Sequence, residues 1–168
     1  MQNTLVKNGN RILALSINST ENGYAIFDGD SLIECGELNI EYGKYYKTLR
    51  SIFFTCLKTM RNKGFDVVAI GLEGEDNHPG VFAKNMKIAG LIMGAAFLNG
   101  KIKFIEITRE SAVKACGLSV TDEVSKESII SIMSEFSGVE IKDFKTAEAV
   151  AIGIAANLQI KLSDGKRY

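Results

Sequence analysis

The side chains that could do chemistry in this 168-residue sequence are carboxylates and cations. Glu73 directly follows an apolar stretch, and Glu148 lies in an alanine-rich segment near the carboxyl end. Each carboxylate is either part of a site or simply solvated, and the residues alone leave both interpretations open. Other chemistry is disfavoured, because no serine or cysteine has a recognisable base partner and the phosphate-loop pattern GxxxxGK[ST] is absent.

The single histidine and the three cysteines do not favour zinc or disulfide chemistry. His78 precedes the one proline in a polar segment, where we expect it to be a loop residue. Cys35, Cys56 and Cys116 form no CxxC pair, and one histidine cannot complete a zinc cluster. We therefore expect the cysteines to be small core residues in a reducing compartment.

Composition and charge indicate one globular domain. The 20 Lys and Arg balance the 20 Asp and Glu, and 46% of the residues are hydrophobic. Zero net charge disfavours a basic nucleic-acid tail but leaves room for a local basic patch. The amino end lacks a signal-peptide pattern, and the most apolar stretch, residues 88–98, is about half of a ~20-residue membrane span. We expect a single domain over 1–168 with flexible termini at 1–10 and 163–168, cytoplasmic and without a membrane partner.

The elements that must position the chemical side chains follow from the apolar pattern. Apolar runs at 11–16, 23–27 and 31–38, separated by turn signals, predict three consecutive antiparallel strands. Further strands are predicted at 66–72, which is apolar on both faces, and at 102–107. Helices are predicted at about 49–63, 81–98, 108–116, 125–137 and 146–158. The resulting order, β-β-β-α-β-α-β-α-α-α, indicates an α/β domain with a mixed sheet.

This order is also that of the ribonuclease H-like fold, and several segments resemble the RuvC family of Holliday junction resolvases. The segments ILALSINSTENGYAIFD (12–28) and VVAIGLEGED (67–76) are similar to the family's first strands and to its acid-bearing strand. FAKNMKIAGLIMGAA (82–96) and AEAVAIGIA (147–155) are similar to two of its helices. The resemblance implies a ribonuclease H-like fold. Its mixed five-stranded sheet would have three antiparallel strands followed by parallel strands, and helices would flank the sheet.

The resemblance also implies phosphodiester cleavage by two divalent metals that about four carboxylates hold. Glu73 and Glu148 match two of the acidic positions and are the implied catalytic residues and ligands of Mg²⁺ or Mn²⁺. Two further acidic positions carry Ser16 and Lys145 instead. A neutral hydroxyl cannot bridge two cations, and an ammonium group repels a metal. Asp143, close to Lys145 in sequence, is the carboxylate expected to support the other two.

The functional expectation is a resolvase-related protein that recognises branched or structured DNA. With a complete metal site it would be a Mg²⁺- or Mn²⁺-dependent Holliday junction endonuclease of DNA recombination, but the degenerate acidic set favours loss of catalysis. The family implies a homodimer. The alternative is a non-catalytic structural or assembly protein that binds a protein partner with the same fold. The implied nucleic-acid-binding residues, whose scatter is equally typical of solvated helix faces, are Lys84, Lys87, Arg109, Lys114 and Lys126.

Overall fold

The computed structural model describes residues 9–72, 79–119 and 125–165, and within these ranges the elements follow the predicted order. The strands are β1 (Arg11–Ile17), β2 (Asn22–Asp28), β3 (Ser31–Gly36), β4 (Val67–Leu72) and β5 (Lys103–Thr108). The helices are α1 (Tyr45–Lys63), α2 (Pro79–Leu98), α3 (Arg109–Ala115), α4 (Lys126–Ser137) and α5 (Phe144–Asp164).

The strands form one five-stranded mixed sheet in the order β3-β2-β1-β4-β5. β1 and β3 pair antiparallel with β2, whereas β4 pairs parallel with both β1 and β5. The predicted mixed sheet is therefore confirmed. Because β1, β4 and β5 run in the same direction, their carboxyl ends meet at one edge of the sheet, where α/β proteins commonly bind ligands.

Helices cover both faces of the sheet, and alternate residues of β1 face different helices. Ile12 and Ala14 belong to the core cluster that contains α3, α4 and α5, whereas Leu13 and Leu15 belong to the cluster that contains α1 and α2. Side chains of a strand alternate between the two faces. Ser16 therefore continues the first set, and its side chain points towards α5.

Polar caps explain where the helices on one face of the sheet begin. The hydroxyls of Thr108 and Ser125 accept hydrogen bonds from the first turns of α3 and α4. α5 begins at Phe144, earlier than predicted, because the Asp143 side chain caps it. It continues to Asp164, inside the segment predicted to be a flexible terminus.

The third strand is shorter than predicted, because a side chain binds the backbone that follows it. The amide group of Asn22 accepts a hydrogen bond from the Leu38 N–H at 2.7 Å and donates one to the Leu38 carbonyl at 3.2 Å. These bonds satisfy the backbone of Leu38 without a strand partner. β3 accordingly ends at Gly36.

α2 is a helix that is long and apolar enough to cross a membrane, and it is the one such helix among the described residues. Length and composition alone set this criterion, and a core helix of a soluble protein meets it equally. One side of α2 is buried in the core cluster shared with α1, through Ile88, Ala89, Ile92, Ala95 and Ala96. Its other side exposes apolar side chains, including Met86, Met93 and Phe97.

α5 lies directly on the sheet, with no space between helix and strand at two glycines. A Cβ atom added at Gly153 of α5 would lie 2.2 Å from the ring of Phe27 on β2. A Cβ atom added at Gly23 of β2 would lie 2.2 Å from the carbonyl carbon of Lys145 on α5. No side chain fits at either position, so these glycines set how closely α5 approaches β2.

We predict that Gly153→Ala lowers the free energy of unfolding by about 1–3 kcal/mol, because the added methyl group overpacks against Phe27. Gly90→Ala is the matched control, since Gly90 also lies inside a helix but its added Cβ would meet no atom within 4 Å. We expect Gly90→Ala to stabilise the protein by about 0.5–1 kcal/mol. Urea unfolding followed by circular dichroism measures both changes, and equal stabilisation by both variants would contradict the close packing of α5.

Candidate functional site

A cleft lies at the edge of the sheet where the carboxyl ends of β1, β4 and β5 meet. Each surrounding element contributes a wall: β1 provides Ser16, β4 provides Leu72, α2 provides Asn85, α3 provides Arg109 and α5 provides Glu148. Its enclosed volume is about 30 Å³, which is room for one or two water molecules. The cleft is thus narrow, and the side chains inside it are in mutual contact.

Ser16, Lys145 and Glu148 meet inside this cleft and form its polar centre. The Ser16 hydroxyl donates a hydrogen bond to Oε2 of Glu148. The Lys145 ammonium lies 2.9 Å from the same oxygen, and the side chains of Lys145 and Glu148 are only 7% and 19% exposed. One carboxylate oxygen therefore accepts hydrogen bonds from Ser16 and Lys145, which stand at the two positions where the resemblance implies acids.

Local geometry on two elements brings these side chains together. Ser16 pairs with Gly23 across β1 and β2, and the missing side chain at Gly23 lets the first turn of α5 lie over this point of the sheet. Lys145 belongs to that first turn, and Glu148 follows three residues later on the same helix face. Asp143 starts the turn as its cap. The cluster therefore depends on two features, the pairing of Ser16 with Gly23 and the start of α5 at Phe144.

Burial makes the pairing of Lys145 with Glu148 obligatory. Either charge, left unpaired at such a site, costs several kcal/mol because the protein interior solvates ions poorly. The ring of Phe144 adds a favourable surface for cations, with its centroid 5.7 Å from Nζ of Lys145 and 5.1 Å from Nζ of Lys126. The cleft therefore holds a built-in positive charge beside its carboxylate.

Of the other two predicted acids, only Asp143 belongs to the described residues, and it is a helix cap. Glu73 lies outside the described residues, and the described part of its strand ends at Leu72 in the cleft wall. Asp143 caps α5, where its Oδ1 accepts a hydrogen bond from the Thr146 N–H at 2.7 Å. Within 9–72, 79–119 and 125–165, no group of three or more His, Cys, Asp and Glu side chains is arranged to hold a metal ion.

The donor set in the described part of the cleft does not fit a pair of divalent metals. Such metals need several carboxylate oxygens, and the cluster offers Glu148 with a hydroxyl and an ammonium group. Oε2 of Glu148 already accepts from Ser16 and Lys145. A metal at this oxygen would also lie close to the ammonium and be repelled by it.

Of the predicted nucleic-acid-binding residues, Arg109 lines the cleft and Lys126 lies over Phe144, the residue before Lys145. Arg109 is exposed at the start of α3 and lines the cleft. Lys126 is exposed at the start of α4 and lies over the ring of Phe144, which also contacts Lys145. These two cations and the buried ammonium thus surround the same end of α5.

The other three predicted cations are on helices α2 and α3. Lys84 and Lys87 are exposed on α2, on either side of the cleft residue Asn85. Lys114 forms an exposed ion pair with Glu110 one helical turn away on α3, at 2.6 Å. It lines a different groove, between α3 and the second half of α5. Lys114 is therefore separated from the group of cations near the cleft.

Sequence reasoning missed two residues that build the site. Phe144 was overlooked because an aromatic residue at a helix start usually indicates packing. The two cations that contact its ring, Lys126 of α4 and Lys145 of α5, also belong to different helices. Gly23 was noted only as part of a strand, since the close approach of α5 depends on a register between distant segments.

The three cysteines are free thiols in the described part of the chain and are not activated for chemistry. Burial raises the pKa of the Cys56 thiol to about 12 and that of Cys116 to about 11. The pKa of Cys35 is also raised, chiefly by burial and further by the carboxylate of Asp143. All three are thus protonated at neutral pH, and a thiolate nucleophile is disfavoured.

The sequence matches no family model and no curated protein, whereas the fold matches solved structures. Thermus thermophilus RuvC in complex with a Holliday junction substrate is 13% identical, with a TM-score of 0.75 over 90% of this chain and 96% of that chain. A second Thermus thermophilus RuvC structure is 13% identical, with a TM-score of 0.72 over 91% and 96%. The yeast mitochondrial Holliday junction resolvase is 9% identical, with a TM-score of 0.61 over 94% and 83%.

These similarities show that the chain has a RuvC-like fold of the ribonuclease H-like class. The fold expected from the sequence resemblance is therefore confirmed. Identities this low carry the arrangement of elements and no more, because one fold supports many functions.

We predict that Lys145→Met and Glu148→Gln each lower the free energy of unfolding by about 3 kcal/mol, because each leaves a poorly solvated partner unpaired. The double variant Lys145→Met/Glu148→Gln should lose less than the sum of the two, since it removes both charges. Urea unfolding of the four proteins gives the coupling free energy.

The control for this cycle is Lys114→Met, which breaks an exposed pair and should change stability little. Strictly additive losses from Lys145 and Glu148 would contradict a buried, coupled ion pair.

Proposed function

We propose that this protein binds branched DNA at the face that carries the cleft, and that it does not cut DNA by a two-metal reaction. The observation that carries the proposal is the cluster of Ser16, Lys145 and Glu148. In a RuvC-like cleft, it presents an ammonium group and a hydroxyl where the resemblance implies metal-binding acids. Because the ammonium neutralises Glu148, such a centre does not repel phosphate, as a set of carboxylates without metal would.

The fold comparisons support branched DNA as the ligand class. One matching structure is RuvC bound to a Holliday junction substrate, and another is a yeast mitochondrial Holliday junction resolvase. The first match covers 90% of this chain and 96% of that chain, so the two chains share the fold over nearly their whole lengths. We infer that the surface used by the relative is retained while its chemistry is replaced.

Local charge supports phosphate binding although the net charge is zero. Lys84, Lys87, Arg109 and Lys126 are exposed on the three helices that begin around the cleft. Each cation that meets a phosphate releases bound counterions, so affinity depends on the local count and not on the net charge. Four such contacts predict a slope of about −3 to −4 in a plot of log affinity against log salt concentration.

We further propose that the active form is a homodimer. A four-way junction has two-fold symmetry, which two copies of one chain match. The outer side of α2 supplies exposed apolar side chains for such an interface, namely Met86, Met93 and Phe97. A protein partner at this surface is the alternative, and the junction assay described next separates the two functions.

The test is binding to a labelled four-way junction and to a duplex of matched sequence, in EDTA at several salt concentrations. We expect at least tenfold tighter binding to the junction. The variant Arg109→Ala/Lys126→Ala should weaken junction binding at least tenfold and reduce the salt slope by about 2. Lys161→Ala, which removes an exposed lysine paired with Asp30 on the β2–β3 turn, is the control and should leave binding unchanged.

Equal affinity for junction and duplex with a flat salt response would contradict junction recognition and favour assembly with a protein partner. Incubation of the complex with Mg²⁺ or Mn²⁺ should leave the DNA strands intact. Metal-dependent cutting that is lost in Glu73→Gln would contradict the absence of two-metal chemistry.

A further inference from the structure

We propose that the Lys145 ammonium is a permanent replacement for a bound divalent cation, and that Ser16 and Lys145 together exclude metal from the cleft. The inference concerns cation binding by the protein alone, so it goes beyond the proposed function and holds whichever ligand the surface takes. Changing these two side chains to acids should create a divalent-metal site in the cleft, where the described residues hold no group of metal-binding side chains.

The backbone fixes where the replacement charge lies. The first turn of α5 is pressed onto β2 at Gly23, where an added Cβ would lie 2.2 Å from the carbonyl carbon of Lys145 and 2.3 Å from its oxygen. The chain at Lys145 therefore cannot shift further onto the sheet. Its side chain is buried, and the ammonium ends 2.9 Å from Oε2 of Glu148. This is a fixed charge at a fixed oxygen, as a bound metal would be.

The charge and donor count of the cluster explain why a metal is excluded. Oε2 of Glu148 accepts from the Ser16 hydroxyl and from the Lys145 ammonium, so its lone pairs are already used. A divalent ion that displaced these donors would lie beside an ammonium group, with twice the repulsion that a monovalent ion would meet. The one carboxylate of the described cluster is thus neutralised by a side chain, which, unlike a bound metal ion, is covalently attached and cannot leave the site.

The two replacements depend on each other. An aspartate at position 16 would place its carboxylate beside that of Glu148, because the Ser16 side chain contacts Glu148. Two adjacent carboxylates repel each other unless a cation lies between them. With Lys145 present, the ammonium supplies that cation. With an aspartate at 145 as well, three carboxylates from β1 and α5 would converge without any cation, which is the hard-oxygen set that Mg²⁺ and Mn²⁺ bind.

The test is thermal unfolding of the wild-type protein and of Ser16→Asp/Lys145→Asp in EDTA and in increasing Mn²⁺ or Mg²⁺. We expect the melting temperature of the wild type to be unchanged by either metal. The double variant should melt below the wild type in EDTA and gain about 5–10 °C, saturably, when Mn²⁺ reaches roughly 100 times its Kd.

Three variants make the result specific to the cleft. Glu148→Gln in the double-variant background should abolish the gain in melting temperature, because it removes a proposed ligand. Lys161→Asp introduces a carboxylate in place of an exposed lysine away from the cleft and should show no saturable gain. Should the double variant fail to fold, Ser16→Asp/Lys145→Asn removes the ammonium with a smaller charge change, and the same saturable gain is expected of it.

Saturable stabilisation of the wild type by Mn²⁺ that disappears in Glu148→Gln would overturn the proposal. A folded Ser16→Asp/Lys145→Asp protein that ignores both metals would also overturn it, because the two residues would then not account for exclusion. Junction binding is measured in EDTA on the wild type, so failure of the proposed function and failure of this inference give separate results.

Discussion

The contact between α5 and β2 is the constraint on which the cleft depends. It is possible only because two glycines, Gly23 and Gly153, leave room for the opposing chain. The contact places the first turn of α5 over the end of β1, where Ser16 points towards it. From that placement follow the buried pair of Lys145 with Glu148 and the hydrogen bond from Ser16.

A RuvC-like fold thus carries a centre whose charges are arranged differently from those implied by the resemblance. A cluster of carboxylates is stable only when metal ions neutralise it, and such a protein gains its chemistry with the metal. Here a lysine on the same helix neutralises Glu148. The stability of the cleft therefore does not depend on a metal, and the neutralised carboxylate does not repel a phosphate as an unpaired one would.

The sequence was informative about elements and less so about their contacts. Turn residues and apolar periods predicted the strands, and the predicted helix starts at 108 and 125 coincide with the caps Thr108 and Ser125. Asp143 was assigned to metal support, although its position three residues before Thr146 is also that of a cap. An aspartate directly before a helix can serve as a cap or as a metal ligand, and the sequence alone does not distinguish these two roles.

The composition of the cleft was only partly predictable. The resemblance identified Ser16 and Lys145 as replaced acids, but a lysine near a helix start is usually solvated. Its burial depends on the contact of the first turn of α5 with Gly23 of β2, and this contact joins segments that are distant in sequence. Net charge was a poor guide as well, because one buried ammonium beside one carboxylate leaves the total unchanged while it determines the chemistry.

The most direct test of the central claim is an NMR titration of the ¹⁵N-labelled wild-type protein with Mn²⁺, whose unpaired electrons broaden the signals of nearby nuclei. If the Lys145 ammonium occupies the place of the metal, the amide signals of Ser16 and Glu148 will not be broadened more than those of exposed surface residues. Selective broadening of these two signals at low Mn²⁺ concentration, reversed by excess Mg²⁺, would contradict the account.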